Sequence, residues 1–296
     1  MDNSSFQLRQ SRYNLMKIIE ILFNKKTEDR INSKVPYARL VDEMENYVSV
    51  TLNNQTSVIL SVTQTNSFGD YILGHSLNVC MLSILIGDFL ELEYPALVEL
   101  GISSLLHDIG KRNTPKEIIF KTETLTEEEI AIIHKHPEDG VGFMERIYPG
   151  ASDQIKEGIL THHEKMNGKG YPKGIKDIPQ FGLIISIADM YEAYVSARVY
   201  HEKRTILEGI EFIRETEGLD KRIINTFIEN TVFFPSGSYV LLSDETVAKV
   251  QGDATGDTPN IVIPGKDIPI TGEKVIDIIS PPLPKSVKLE KNNSKV

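Results

Sequence analysis

The stretch Ile102-Ser103-Ser104-Leu105-Leu106-His107-Asp108-Ile109-Gly110-Lys111 joins an apolar helical run to a histidine, a carboxylate and a cation. Pro95 fits the first turn of a helix that continues towards Leu106. Neighbouring residues on a helix point about 100° apart. His107 and Asp108 therefore reach one site together only from a helix end. Gly110 is predicted to make that end by taking left-handed backbone. At such an end an imidazole can bind one metal ion through its neutral nitrogen, and a carboxylate can bridge two. Lys111 would lie close enough to meet a phosphate oxygen. Taken alone, the dipeptide is better explained by a buried His–Asp hydrogen bond capping the helix.

Two further places change the balance. The chain has seven histidines: His75, His107, His134, His136, His162, His163 and His201. His162 and His163 close a helix that Ser152 can cap. Two adjacent imidazoles at an apolar helix end are costly to bury without partners. A shared cation would supply one; two exposed rings pointing opposite ways are the alternative. Asp189 interrupts the apolar run Leu183 to Ala188 within the helical pattern Phe181 to Val195. A carboxylate there calls for a counterion or a metal. The resulting donor set is all nitrogen and oxygen, which suits iron, manganese or zinc. It also exceeds what one tetrahedral ion needs, so two divalent ions are expected.

The rest of the chain sets bounds. It has 296 residues, 40% hydrophobic and 25% charged, the composition of a folded globular protein. The net charge of -10 argues against binding a nucleic acid polymer, which relies on basic residues. A small anion in a local basic or metal-lined pocket stays compatible. Cys80 is the single cysteine and lies in the apolar run Leu77 to Leu85, so it is predicted to fill the core. The start, MDNSSFQLRQ, lacks the basic and apolar segments of a signal peptide. The run Val79 to Leu90 is interrupted by Asp88 and reads as too short for a membrane span. A cytoplasmic location is expected.

Four regions follow. Residues 1–66 form a helical N-terminal region, with helical spacing at Ser11 to Phe23 and Tyr37 to Tyr47 and a polar loop at Asn24 to Pro36. Residues 67–231 are helical almost throughout, with Thr126 and Glu129 as a capping box and Pro137 in a first turn. Residues 232–280 carry short β-prone runs at Tyr239 to Leu242, Val247 to Val250, Asn260 to Val262 and Lys274 to Ile279, a small β appendage. Residues 281–296 are rich in Pro, Lys, Asn and Ser and are expected to be disordered. The fold class is thus mainly α, with a helical bundle at its centre.

His107-Asp108-Ile109-Gly110-Lys111 resembles the HD signature of metal-dependent phosphohydrolases. Gly170-Tyr171-Pro172, after His162-His163-Glu164, resembles the signature of the HD-GYP branch. The likeness runs from about Tyr71 to Tyr200 and takes in Gly74 to Val79 and His136-Pro137-Glu138. It implies an HD-domain helical bundle that hydrolyses cyclic di-GMP to pGpG, which some members take on to GMP. It implies His75, His107 and Asp189 on one metal, and His136, His162 and His163 on the other. Asp108 and a hydroxide would bridge the two, the hydroxide attacking phosphorus in line with the leaving oxygen. Lys111 would contact the scissile phosphate, and Tyr171 and Arg198 the substrate. Iron or manganese are the implied ions.

Some members carry a glutamate four residues before the first histidine and bind a third metal. Here that position is Tyr71, so the resemblance implies two. The segment Ala197-Arg198-Val199-Tyr200-His201 departs from the usual Asp-Arg-Pro-Tyr and basic residue, and Met166-Asn167-Gly168 from the usual Trp-Asp-Gly. These departures keep two alternatives open: a phosphodiesterase for another cyclic dinucleotide, and a non-catalytic module that binds cyclic di-GMP or a protein partner. A homodimer is compatible with all three.

Overall fold

The structure is a computed structural model that describes residues 3–26, 31–55, 71–196, 204–242, 246–262 and 275–280. Its helices are α1 (Asn3–Phe23), α2 (Ile31–Lys34), α3 (Tyr37–Leu52), α4 (Tyr71–Phe89), α5 (Tyr94–Leu105), α6 (Lys116–Ile119), α7 (Glu127–Ile133), α8 (His136–Ile147), α9 (Asp153–Thr161), α10 (Gln180–Val195), α11 (Ile206–Glu215) and α12 (Lys221–Asn230). A 3-10 turn at Ile109–Asn113 follows α5. The strands are β1 (Tyr239–Leu242), β2 (Val247–Val250), β3 (Ile261–Val262) and β4 (Val275–Ser280).

The bundle is organised around α4. Its side chains are apolar on nearly every side, and a helix of that kind must be surrounded by others. It packs against α1, α3, α5, α10 and α12. The sequence reading began its apolar run at Val79, but the helix extends back to Tyr71. By length and composition alone it could cross a bilayer; 83% of its 18-residue window is instead buried among the other helices. Cys80 is buried in it, as expected for a core residue.

The predicted helix starts are in place. Pro95 lies in the first turn of α5 and Pro137 in that of α8. Thr126 and Glu129 form the capping box of α7, and the Ser152 hydroxyl accepts the Ile155 N–H at the start of α9. Two expectations need correction. The segment Asn24 to Pro36 contains α2, whose Ile31 is buried, so it is more than a polar loop. Gly110 does not terminate a helix in left-handed backbone; it lies inside the 3-10 turn with φ negative. Its missing Cβ answers a different need, since a Cβ there would sit 1.9 Å from the His136 carbonyl oxygen and 2.7 Å from the Gly140 nitrogen. Only glycine lets the turn carrying Asp108 press against α8.

The strands form one antiparallel sheet in the order β3-β2-β1-β4, with Val240 opposite Ala248 and Lys249 opposite Val262. β3 begins at Ile261 and β4 at Val275, each one residue later than predicted. Val240, Leu242, Ala248 and Val250 point inward and share one core with the helices. The sheet therefore packs on the bundle. The tail 281–296 lies outside the described residues, as does part of the expected boundary near residue 66.

Candidate metal centre

Three histidines sit at helix ends and are oriented in one way. The last carbonyls of a helix have no intrahelical partner. His107 bonds through Nδ1 to the Ser104 carbonyl at 2.7 Å, His136 to Ile133 at 2.8 Å and His162 to Ile159 at 2.7 Å. A carbonyl only accepts, so each Nδ1 carries the proton and each Nε2 a lone pair. His75, inside α4, gives Nδ1 to the Glu192 carboxylate at 2.6 Å. Four Nε2 atoms are thereby turned into one space.

That space is unfavourable for protein atoms alone. The Nε2 atoms of His136 and His162 face each other at 3.2 Å. His107 Nε2 and Asp108 Oδ1 are buried without a hydrogen-bond partner. Buried acceptors rarely stay unsatisfied, and a divalent cation would satisfy all of them at once. Imidazole and carboxylate are suitable donors for such an ion.

The donors fall into two groups that share one residue. His75, His107 and Asp108 form the first; Asp108, His136, His162 and His163 form the second, with ligand atoms in each within 4.8 Å of one another. Asp108 Oδ2 lies 3.7 Å from His75 Nε2 and 3.5 Å from His107 Nε2, while Oδ1 lies 3.3 Å from His136 Nε2. One carboxylate oxygen thus faces each group. Asp189 borders both, with Oδ1 3.1 Å from His75 Nε2 and Oδ2 3.9 Å from His163 Nδ1. All seven residues implied as ligands come together.

Around this cluster, Lys111 donates to Asp108 Oδ2 at 2.6 Å. Tyr171 stacks on His163 with ring centroids 4.6 Å apart. His134, outside the recognised motifs, covers the other face of Tyr171 at 3.7 Å. Arg198 and His201 lie outside the described residues. Two supporting carboxylates escaped the sequence reading. Glu164 is buried and accepts the backbone N–H groups of Lys173, Gly174 and Ile175, so the loop bearing Tyr171 hangs from it. Glu192 anchors His75. Its signal was available, because it lies three residues after Asp189 on the same helix face.

Burial sets the charge states. It lowers His107, brings His136 down to about 4, and holds His162 and His163 well below the ordinary imidazole range. Burial pushes His75 the same way, but the carboxylates of Glu192 and Asp189 on its two nitrogens overcome it and raise it to about 10. Burial would also raise Asp108 and Asp189; Lys111 and the histidines keep Asp108 ionised, and His75 does so for Asp189.

An unfolded histidine titrates near about 6.5. A group depressed by folding contributes stability above that value and loses it as pH falls through the folded pKa. His75 works in the opposite direction, its contribution being lost only as pH rises through about 10. Four groups against one predict that chelator-treated protein loses thermal stability steadily from about pH 6.5 down towards pH 4. Calorimetry across that range checks it. A melting temperature that rises on acidification would contradict neutral buried imidazoles.

A family model described as an HD domain matches residues 53–223, more than half of the chain. The chain belongs to the HD domain family. Among relatives of this HD domain protein, cyclic di-GMP phosphodiesterase PA4108 of Pseudomonas aeruginosa is 31% identical over 206 residues, covering 69% of this chain and 49% of that protein. Cyclic di-GMP phosphodiesterase PdeB of Borreliella burgdorferi is 33% identical over 214 residues, covering 70% of this chain and 55% of that protein. The chain thus spans about half the length of the curated relatives it matches. Among solved structures, Bd1817 of Bdellovibrio bacteriovorus, described as an HDG"Y"P protein, aligns with TM-score 0.57 and 20% identity over 76% of this chain and 70% of that one. That likeness concerns the fold.

Proposed function

We propose that this HD domain protein is a metal-dependent phosphodiesterase that hydrolyses cyclic di-GMP to pGpG. The observation that carries this reading is the convergence of four imidazole Nε2 atoms on Asp108, whose two oxygens face separate donor groups. His75, His107 and Asp189 would hold one ion, His136, His162 and His163 the other, with Asp108 shared. Two divalent ions, iron or manganese in this reading, would supply Lewis acidity towards phosphate oxygens and an activated water at neutral pH.

The protein's own contribution is orientation and charge. Backbone carbonyls fix the tautomers of His107, His136 and His162, and Glu192 orients His75, so these four rings are aimed before an ion binds. Lys111, at the edge of the cluster, offsets charge that builds on the phosphate. Tyr171, held between His163 and His134, offers its ring edge beside the cluster, and Arg198 is assigned to the substrate on the resemblance. A cavity of about 480 Å3 opens beside the cluster at His163 and Asp189. Lys165, Lys169 and Arg204 line it together with the rings of Tyr171 and Tyr194, although the chain as a whole carries a net charge of -10. Local cations and aromatic faces in an acidic protein suit a dianionic dinucleotide.

Lys165 is the most constrained of these cations. Its Nζ is held by Ser186 Oγ at 3.1 Å and Met190 Sδ at 2.9 Å, with no carboxylate ion pair among the described residues. We assign it to the phosphate that is not being cleaved. Lys165→Met is then expected to raise KM for cyclic di-GMP by about 10- to 100-fold, the scale of one charge-assisted hydrogen bond. The change in kcat should be much smaller. A loss confined to kcat would remove Lys165 from substrate binding.

The same reading takes residues 67–231 as the phosphodiesterase unit, with 1–66, 232–280 and 281–296 attached to it, acting in the cytoplasm. The test is metal content per chain on anaerobically purified protein, with chromatographic analysis of products after iron or manganese loading. About two ions per chain with conversion to pGpG or GMP supports the proposal. Two ions with preferential turnover of a different cyclic dinucleotide would replace the substrate. Failure to retain metal under any loading would overturn the reading.

A further inference from the structure

The metal-facing histidine of α4 is linked by hydrogen bonds to the N-terminal helix. His75 Nδ1 lies 2.6 Å from Glu192 Oε2. Glu192 Oε1 accepts from Asn78 Nδ2 at 2.9 Å and from Ser196 Oγ at 2.6 Å. Asn78 Oδ1 in turn accepts from Arg12 on α1 at 2.9 Å. Arg12 lies outside the matched HD domain segment, residues 53–223. We propose that Arg12 is a positioning residue for the metal centre, by which docking of α1 sets the affinity of the His75 side for its ion.

The argument rests on the chemistry of an amide. An asparagine side chain has two orientations of nearly equal shape, and its neighbours decide between them. A guanidinium has no acceptor, so Arg12 requires Asn78 Oδ1 to face it. The Asn78 NH2 group is then forced towards Glu192, where it donates. Glu192, with Oε1 occupied by two donors, keeps Oε2 for His75. That bond orients the imidazole so that its Nε2 faces Asp189 and Asp108. Without Arg12 the buried Asn78 oxygen loses its charged donor, and the amide holds Glu192 in place less firmly, which loosens the last bond of the series. Asn78 and Glu192 are both nearly fully buried, so water is poorly placed to substitute for a missing partner. Partners that orient a ligating histidine are worth about 10- to 100-fold in metal affinity.

This inference rests on the two-metal reading above, and one experiment separates them. Mn2+ alone is titrated calorimetrically into the full chain and into Arg12→Met, Asn78→Ala and the double variant. The expected result for Arg12→Met is one class of site weakened about 10-fold and the other held. The double variant should be no weaker than Asn78→Ala, because both act on the same bond series. Equal weakening of both classes, or unchanged affinity in a folded Arg12→Met, overturns the proposal. If circular dichroism shows Arg12→Met unfolded, Arg12→Gln is read by the same criteria, since it keeps most of the side chain's packing and removes the charge that holds Asn78 Oδ1. Parent protein that binds no Mn2+ sinks the two-metal reading itself and takes this one with it.

Discussion

Asp108→Ala is expected to strip the protein of bound metal and to slow hydrolysis of cyclic di-GMP by about a thousand-fold or more, as for other groups that act as one unit. Asp108 is the single residue common to both donor groups. Its oxygens face them separately, so in the proposed two-ion site its removal would take one ligand from each ion and the negative charge between them. Losing a peripheral ligand such as His163 leaves the first group complete; losing Asp108 leaves neither. The fold should survive, because Lys111 is partly exposed and can reach water, and the histidines that face Asp108 keep their own bonds to backbone carbonyls and Glu192. Elemental analysis of the purified variant and product chromatography provide the measurement. Metal content and turnover close to those of the parent would show that Asp108 is not shared.

The second large effect is expected at Gly110. Gly110→Ala places a Cβ 1.9 Å from the His136 carbonyl oxygen and 2.7 Å from the Gly140 nitrogen. Both neighbours are backbone, so no side chain can swing aside. The turn and α8 must separate, at a cost of about 3 kcal/mol for an overpacked core position. His136 belongs to α8 and Asp108 to the residue before the turn, so the same separation pulls two ligands apart. Loss of metal should therefore accompany loss of stability. Gly142→Ala in the same helix is the control: nothing lies within 4 Å of its Cβ position. It should be neutral or gain up to about 1 kcal/mol from helix propensity. Thermal melting of both variants decides the matter, and a Gly110→Ala chain as stable as Gly142→Ala would refute the close contact.

Gly110 also shows where reading by residue type falls short. In the sequence it looked like a helix terminator, because a glycine shortly past an apolar run commonly ends a helix in left-handed backbone. The structure uses the missing side chain to pass another backbone, a contact with a segment 26 residues away that no local pattern announces. Glu164 and Glu192 illustrate a related limit. One holds a loop through three backbone N–H groups and the other orients a histidine 117 residues distant. As letters both are ordinary acids on helical or loop segments. Only the backbone of Lys173 to Ile175 and the ring of His75, brought against them, reveal what they do.

The sequence by itself determined much of the rest. Proline and capping residues placed the starts of α5, α7, α8 and α9, because backbone N–H groups at a helix start need local partners that local residues supply. Short β-prone runs punctuated by Gly, Pro, Asp and Ser placed β1 and β2, because turn residues mark the ends of a strand locally. Five candidate ligands, His107, Asp108, His162, His163 and Asp189, were legible as histidines and carboxylates in or at the end of apolar runs, whereas His75 and His136 were named by the resemblance alone. Tertiary structure alone decided that Asp108 turns one oxygen to each group, that the four Nε2 atoms converge, and that Arg12 of α1 reaches the same network. Those are distances between α1, α4, α8, α9 and α10, fixed when the apolar flanks of α4 are buried among its neighbours. Packing of that kind depends on the whole core at once, so no stretch of the chain carries it alone.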